Sequence, residues 1–123
     1  MTKGAGKPVY VWVDWESTGL WIERESGGLA NMEYEHFDLP KDMVERFKYW
    51  TAWFSNRRPE MEDKQNQIDD ELFRAYGISL AIQLKLWQDE YRVFYGHKNN
   101  PECFEIGLMA RDYDKKLIPF RKS

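Results

Sequence analysis

Residues 9–22 read VYVWVDWESTGLWI and predict a β-hairpin. Residues 9–13 are all β-branched or aromatic, which is typical of a strand. Because this strand is apolar on both faces, we expect it to lie in the middle of a sheet. Ser17-Thr18-Gly19 is a turn sequence, after which residues 20–22 return as a second strand.

A first helix is predicted over about residues 40–56. Pro40 suits the first helical position, and Pro59 ends the helix because the residue before a proline avoids the helical region. Four apolar residues at spacings of four, three and four form one stripe on this helix: Met43, Phe47, Trp50 and Phe54.

A second helix is predicted over about residues 66–87. It carries two apolar stripes, one through Leu72 and Ile82 and another through Phe73 and Leu80. A helix with so much apolar surface is expected to be central and buried on most sides. Gly77 costs this helix up to about 1 kcal/mol relative to alanine, and its lack of a side chain allows close packing.

The order of strands, two helices and strands predicts an α/β or α+β fold. Residues 91–95 read as a strand, and alternation at Phe104, Ile106 and Leu108 predicts a weaker one. The long crossover from the first strand allows parallel pairing with residues 91–95. We expect a single two-layer domain over residues 1–123, with a three- to five-stranded sheet and a loose N-terminus at residues 1–7.

Charge is distributed unevenly along the chain, whose net charge is −3. Residues 14–45 contain nine acidic residues against only Arg24 and Lys41. An acidic surface disfavours nucleic acid and attracts basic partners, although a solvated surface would explain the same charges. Aromatic residues make up 16% of the chain, and they suit either a dense core or a binding surface.

Cysteine content and hydropathy restrict the class of protein further. Cys103 is the single cysteine, so no internal disulfide and no cysteine-based zinc site can form. No apolar run approaches the length of a membrane helix, and no signal-peptide pattern is present. These features predict a cytoplasmic protein.

Asp14, Glu16, Thr18 and Gly19 resemble the first motif of the DEDD-type 3′–5′ exonucleases, in which a strand leads into Asp-x-Glu and a Thr-Gly pair. On a strand, residues i and i+2 face the same side, and two carboxylates there can hold a divalent metal for phosphoryl transfer. The resemblance implies a metal-dependent phosphodiesterase that uses Mg²⁺ or Mn²⁺ at Asp14 and Glu16.

His97 and Glu102 have the His-to-acid spacing of the last motif of the same exonucleases. That motif normally places an aspartate, in a helix, where this chain has Glu102. Asn99-Asn100-Pro101 is poor helix sequence, and the fourth acid has no motif support. The catalytic alternative therefore consists of Asp14, Glu16, His97 and Glu102, and the leading interpretation assigns no catalytic or metal-binding residue.

The chain also resembles the small bacterial immunity proteins found beside polymorphic toxins. The resemblance implies a stoichiometric inhibitor that blocks the active site or substrate groove of a toxin. An acidic patch with aromatic anchors would complement a basic toxin domain. The matching segments are Asp-x-Glu-x-x-Gly-Leu-Trp at residues 14–21, residues 31–35 with Leu39-Pro40, and residues 46–53, 77–84 and 91–95.

The interpretation that follows is a non-enzymatic binding protein without a cofactor, whose acidic first third contacts a protein partner. Trp15 or Trp21 is expected to be the anchor. The charges are expected to come from Glu16, Glu23, Glu25, Glu33 and Glu35. A structural or assembly subunit, dimeric through its aromatic surface, is the remaining alternative.

Overall fold

A five-stranded mixed sheet with two helices against one face forms the fold, and the computed structural model describes it for residues 6–55 and 63–107. This architecture confirms the prediction of a two-layer α+β fold with two main helices. In chain order the elements are β1 (Pro8–Val11), β2 (Leu20–Glu23), β3 (Leu29–Asn31), a 3₁₀ helix (Tyr34–Phe37), α1 (Lys41–Ser55), α2 (Asp63–Trp87), β4 (Arg92–Tyr95) and β5 (Phe104–Glu105).

The strand order is β3-β2-β1-β4-β5, so β1 is central as predicted. It pairs antiparallel with β2 and parallel with β4, which confirms the hairpin and the crossover. β1 is shorter than predicted and ends at Val11. The chain then turns, and the Trp12 N–H donates to the Gly19 carbonyl at 3.1 Å.

β3 was not predicted from the sequence. Its three residues, Leu-Ala-Asn, have little strand character, and a tight turn supplies the pairing. The Arg24 N–H donates to the Gly28 carbonyl at 2.7 Å, and Gly27 has a φ of 97°, which glycine adopts without strain. The antiparallel pairing of β2 with β3 therefore depends on glycine at this turn.

α1 lies within the predicted range, whereas α2 begins three residues earlier than predicted. The prediction that α2 is buried on most sides is confirmed for residues 76–86, where only Ser79 is exposed, and is wrong for residues 70–75. The stripe through Phe73 and Leu80 is buried, but Leu72 is 57% exposed and Ala75 is exposed. In a two-layer fold the outer face of a helix has no neighbouring layer, and none of the described residues covers this one.

The core lies between the sheet and the helices. Val9, Val11 and Val93 of the sheet are fully buried, as are Phe47 and Trp50 of α1. Within the described residues, neither helix combines the length and the apolar character that a bilayer span requires.

Residues 1–5 of the predicted loose N-terminus lie outside the described residues. Gly6 and Lys7 fall in the predicted loose N-terminus but are hydrogen-bonded, through Gly6 N–H to the Glu90 carbonyl at 2.8 Å and through Arg92 N–H to the Lys7 carbonyl at 2.9 Å. The predicted weaker strand is present as the two residues of β5, and its predicted extension to Leu108 lies outside the described residues.

Candidate partner-binding surface

The hairpin turn, residues 12–19, is held together by its own polar groups. The Asp14 carboxylate accepts a hydrogen bond from the Trp15 N–H at 2.8 Å, and Ser17 Oγ accepts one from the Asp14 N–H at 3.0 Å. Glu16 lies between them with a φ of 57°, a left-handed conformation that costs a non-glycine residue about 1–2 kcal/mol. The Asp14 side chain therefore has a structural role in the turn.

The exonuclease-like alternative requires Asp14 and Glu16 on one face of a strand, whereas both residues lie in the hairpin turn. β1 ends at Val11, so the alternation of a strand does not bring the two carboxylates to one side. Among the residues that the structure describes, no three His, Cys, Asp or Glu side chains are grouped closely enough to hold a metal ion.

His97 and Glu102 lie in the loop between β4 and β5, residues 96–103. Because β1 and β4 are parallel, this loop leaves the sheet at the same edge as the hairpin turn. The His97 ring packs edge-on against Trp12, with 6.4 Å between ring centroids. The Glu102 N–H donates to Asn100 Oδ1 at 2.8 Å. The structure thus brings the two loops together, with aromatic packing between them.

Thr18 connects the hairpin turn to β3 and to the segment that follows it. Its hydroxyl donates to the Met32 carbonyl at 2.5 Å and accepts from Asn31 Nδ2 at 3.0 Å. The Tyr34 hydroxyl donates to the Thr18 carbonyl at 3.0 Å. Burial raises the pKa of Tyr34 to about 12, so this hydroxyl stays protonated at neutral pH and can donate. The Thr-Gly pair of the exonuclease-like motif has a structural use here.

Replacing Thr18 with valine is expected to destabilise the protein by roughly 1–3 kcal/mol, because it removes a donor and leaves part-buried polar groups without their partner. Urea unfolding would measure the loss. Ser55→Ala is the control, since the exposed Ser55 hydroxyl donates within α1 to the Thr51 carbonyl at 3.2 Å. Equal losses in the two variants would contradict the structural role of Thr18.

Trp15 is the most exposed large apolar side chain of the described residues, at 67%. Its ring packs edge-on against Phe54 of α1, with centroids 5.2 Å apart. This contact supports one edge of the indole and leaves most of it open. Glu16, the next residue, is exposed as well. A supported but open tryptophan next to a carboxylate is the type of residue that anchors protein interfaces.

A cleft of about 330 Å³ opens beside Trp15, at the edge of the sheet where β1 and β4 end. Sequence reasoning did not find it, although the predicted parallel pairing was a signal, since ligand sites favour the carboxyl ends of parallel strands. Its apolar walls come from the hairpin turn, both helices and β4, and consist of Trp12, Val13, Trp50, Phe54, Phe73 and Tyr95.

Among the described residues, three charged ones also line the cleft: Asp70 and Arg74 from α2, and Glu102 from the loop between β4 and β5. Burial raises the pKa of the Tyr95 hydroxyl above its ordinary value. The positive charge of Arg74 opposes this shift, and the negative charge of Glu102 adds to it. Both charges therefore act on the Tyr95 hydroxyl. The cleft combines aromatic walls with two carboxylates and one guanidinium.

The remaining acidic residues of the predicted contact surface are spread over the molecule. Glu23 lies 3.3 Å from Lys98 Nζ and accepts a hydrogen bond from the Tyr10 hydroxyl at 3.3 Å, so part of its charge is neutralised. Glu25 is exposed in the turn between β2 and β3, at the opposite end of β2 from Trp15. Glu33 and Glu35 are exposed beyond β3, around the 3₁₀ helix.

Trp21, the second predicted anchor, is half-buried on the sheet face opposite the helices. Its indole Nε1–H donates to the Trp12 carbonyl at 2.6 Å. On the same face, Tyr10 stacks on Phe94 with 4.9 Å between centroids. Trp21 therefore already packs within the molecule, and Trp15 is the better exposed of the two tryptophans.

The fold and this surface together define a small α+β protein with an exposed tryptophan, Trp15, near an aromatic-walled cleft. Residues 7–98 match the model of a family described as Serratia CdiI immunity protein-like, and the chain belongs to this family. The resemblance to immunity proteins of polymorphic toxin systems is thereby confirmed. Comparisons with curated proteins and with solved structures gave no match.

Proposed function

We propose that this protein is an immunity protein that inhibits a toxin by binding it directly. Membership of the immunity protein-like family over residues 7–98 carries the proposal. The surface around Trp15 supports it, because an exposed tryptophan beside a cleft offers an anchor for a protein partner. The partner is a toxin domain with a basic contact surface.

The charges of residues 14–45 support a basic partner. Within this range Asp14, Glu16, Glu25, Glu33 and Glu35 are all exposed, and none of them forms an ion pair with another of the described residues. Such charges speed the encounter with a basic surface and make association sensitive to salt. The cytoplasm is the proposed compartment, which suits a protein whose one thiol, Cys103, is free.

Growth protection and complex formation test the proposal. Toxin domains from the same genome are co-expressed with this protein, and growth, binding affinity and toxin activity are measured. Protection by a complex of fixed stoichiometry is the expected result. Protection without a complex, or no protection from any of these toxins, would contradict direct inhibition.

Trp15→Ala is expected to weaken the complex with the toxin about thirtyfold, because truncating an interface hot spot costs about 2 kcal/mol or more. Trp87→Ala is the matched control, since Trp87 is 51% exposed but lies at the far end of α2. Calorimetry would measure the affinities, and thermal unfolding would verify the fold of both variants. Equal affinities of the two variants would exclude Trp15 as the anchor.

A charge-reversal variant tests the acidic surface separately from the anchor. Glu16, Glu25, Glu33 and Glu35 are changed to lysine, and Glu23 is retained because it pairs with Lys98. The association rate and its dependence on salt should both fall, since exposed charges act mainly on encounter. An unchanged association rate would remove the acidic surface from the proposal.

A further inference from the structure

We propose that two copies of this chain pair through the outer face of α1 and α2, the face of the helix layer that points away from the sheet. Tyr49 of α1 is 61% exposed on this face, and Leu72 of α2 is 57% exposed. Among the large apolar side chains of the described residues, only Trp15 is more exposed. Exposed apolar groups that form one patch mark sites of interaction.

The apolar patch is continuous across the two helices. Tyr49 packs on Tyr76 of α2 with 5.5 Å between ring centroids, and on Trp53 with 6.2 Å. Leu72 and the small side chains beside it complete the surface, which is named the outer patch here. It consists of Tyr49, Ala52, Trp53, Leu72, Ala75 and Tyr76, of which Trp53 and Tyr76 are half-buried and the others exposed.

The outer patch carries no charged side chain. Charged residues are depleted at the centre of protein interfaces, whereas a solvent-facing helix surface normally carries them. A basic toxin surface would find no opposite charge on this patch, in contrast to the exposed acids around Trp15. Two copies of a chain with a net charge of −3 repel each other least where they meet through an uncharged surface.

The sequence of α2 indicates that a further layer covers it. Leu72 and Ala75 belong to an apolar stripe that is expected to be buried, yet none of the described residues covers this part of the helix. The helix layer of a second copy would supply the missing layer. The pair would then have four layers, in the order sheet, helices, helices and sheet.

The register of the two helices fixes how the copies meet. Tyr49 lies beside Tyr76, and Trp53 Nε1 donates to Asp69 at 2.9 Å, so α1 and α2 are antiparallel with the patch residues at one height. A two-fold axis parallel to the helices keeps that height and places α1 of each copy on α2 of the other. The two outer patches then coincide.

A cavity on the outer patch receives a side chain in this arrangement. It has a volume of about 520 Å³ and lies at the C-terminal half of α1. Its lining comprises Tyr49, Ala52, Trp53 and Asp69. With α2 of the second copy lying on α1, Leu72 of that copy is at the height of Ala52 and fills this space. Each copy contributes the same insertion, as in an isologous contact.

Lys48 and Glu71 give the arrangement complementary charge. Both are exposed, and helix periodicity places Lys48 on the side of α1 far from α2 and Glu71 on the side of α2 far from α1. Neither forms an ion pair with another of the described residues. The two-fold axis brings Lys48 of each copy close to Glu71 of the other, so the contact contains this pair twice.

Light scattering of the full-length protein alone, over about 1 μM to 1 mM, tests the pairing, and a concentration-dependent dimer is the expected result. Leu72→Glu should weaken the dimer about a hundredfold, because each copy would bury a carboxylate in an apolar contact. Trp15→Glu is the matched control, since Trp15 is exposed but lies outside the helix layer, and it should leave the dimer unchanged. A monomer at every concentration would overturn the inference.

Charge reversal tests the orientation without placing a charge in the patch. Lys48→Glu and Glu71→Lys should each weaken the dimer roughly tenfold, because each substitution creates two like-charged pairs. The variant that combines both substitutions exchanges the charges and should restore the affinity. A general loss of stability cannot give this recovery, so a combined variant as weak as the single ones would contradict the proposed pairing.

Two other occupants of the outer patch are distinguished by the same variants. If Leu72→Glu lowers the melting temperature of the dilute monomer by several degrees, the patch is covered by the chain's own residues. If it weakens the complex with the toxin and leaves self-association unchanged, the patch belongs to the toxin. Either result would overturn the inference. Failure to inhibit any toxin would remove the proposed function and leave the dimer in place.

Discussion

The Gly77→Ala variant is expected to lose about 3 kcal/mol of unfolding free energy, the upper part of the range for overpacked cores. A Cβ atom at this position would lie 2.7 Å from Tyr95 Cε1 and 2.8 Å from Trp50 Cε2, closer than non-bonded carbon atoms approach. Alanine would raise helix propensity by up to about 1 kcal/mol, so the clash outweighs the gain. Neither ring can move freely, because both are buried.

Thermal and urea unfolding measure this effect. A loss of this size should lower the melting temperature by roughly 10 °C for a domain of this length. Gly28→Ala is the control, since an added Cβ there would meet no atom within 4 Å. A Gly77→Ala variant as stable as the wild type would show that α2 and α1 do not approach as closely as the structure has them.

Trp50→Ala is expected to destabilise the protein by about 3–5 kcal/mol, the usual cost of truncating a large buried ring. Trp50 is fully buried, stacks on Phe73 with 5.1 Å between centroids, and donates from Nε1 to the Phe73 carbonyl at 3.0 Å. Trp50→Phe retains part of the packing but removes this hydrogen bond, so its loss should be intermediate. Trp87→Ala, at a half-exposed position, should lose much less.

The effects of Gly77→Ala and Trp50→Ala on the free energy of unfolding should be coupled. Because the ring of Trp50 occupies the space beside Gly77, removing it should make Gly77→Ala less costly, although the contact with Tyr95 remains. A double-mutant cycle measured by urea unfolding gives the coupling free energy, expected to be about 1–3 kcal/mol. Additive losses would contradict direct packing of Trp50 on Gly77.

The elements that were predicted from sequence are those whose signal is local. Periodicity over residues 40–56 and 66–87 located α1 and α2 to within a few residues, and the apolar run at residues 9–13 located β1. β3 was missed because its three residues pair only through the Gly27 turn. The burial of the N-terminal half of α2 was overestimated because an apolar stripe does not reveal whether a further layer covers it.

The candidate site was predicted only in part, because a local sequence pattern does not show which residues meet in the folded chain. Trp15 and Glu16 were identified from the sequence, and both are exposed. The same turn also resembled an exonuclease motif, but Asp14, Thr18 and Gly19 stabilise the hairpin turn and its packing on Trp50. Residue types at a given spacing do not show whether a carboxylate or hydroxyl faces a ligand or a neighbouring backbone group.

Composition, periodicity and turn residues are properties of neighbouring positions, so the sequence alone determined β1, β2, β4, the two helices and the net negative first third. The cleft is different, because it joins Trp12, Phe54, Arg74 and Glu102 from four separate segments. Those segments meet only when β4 pairs in parallel with β1 and α2 packs closely on α1 at Gly77. Long-range packing therefore created the site, and the sequence indicated it only through the predicted parallel pairing of β1 with β4.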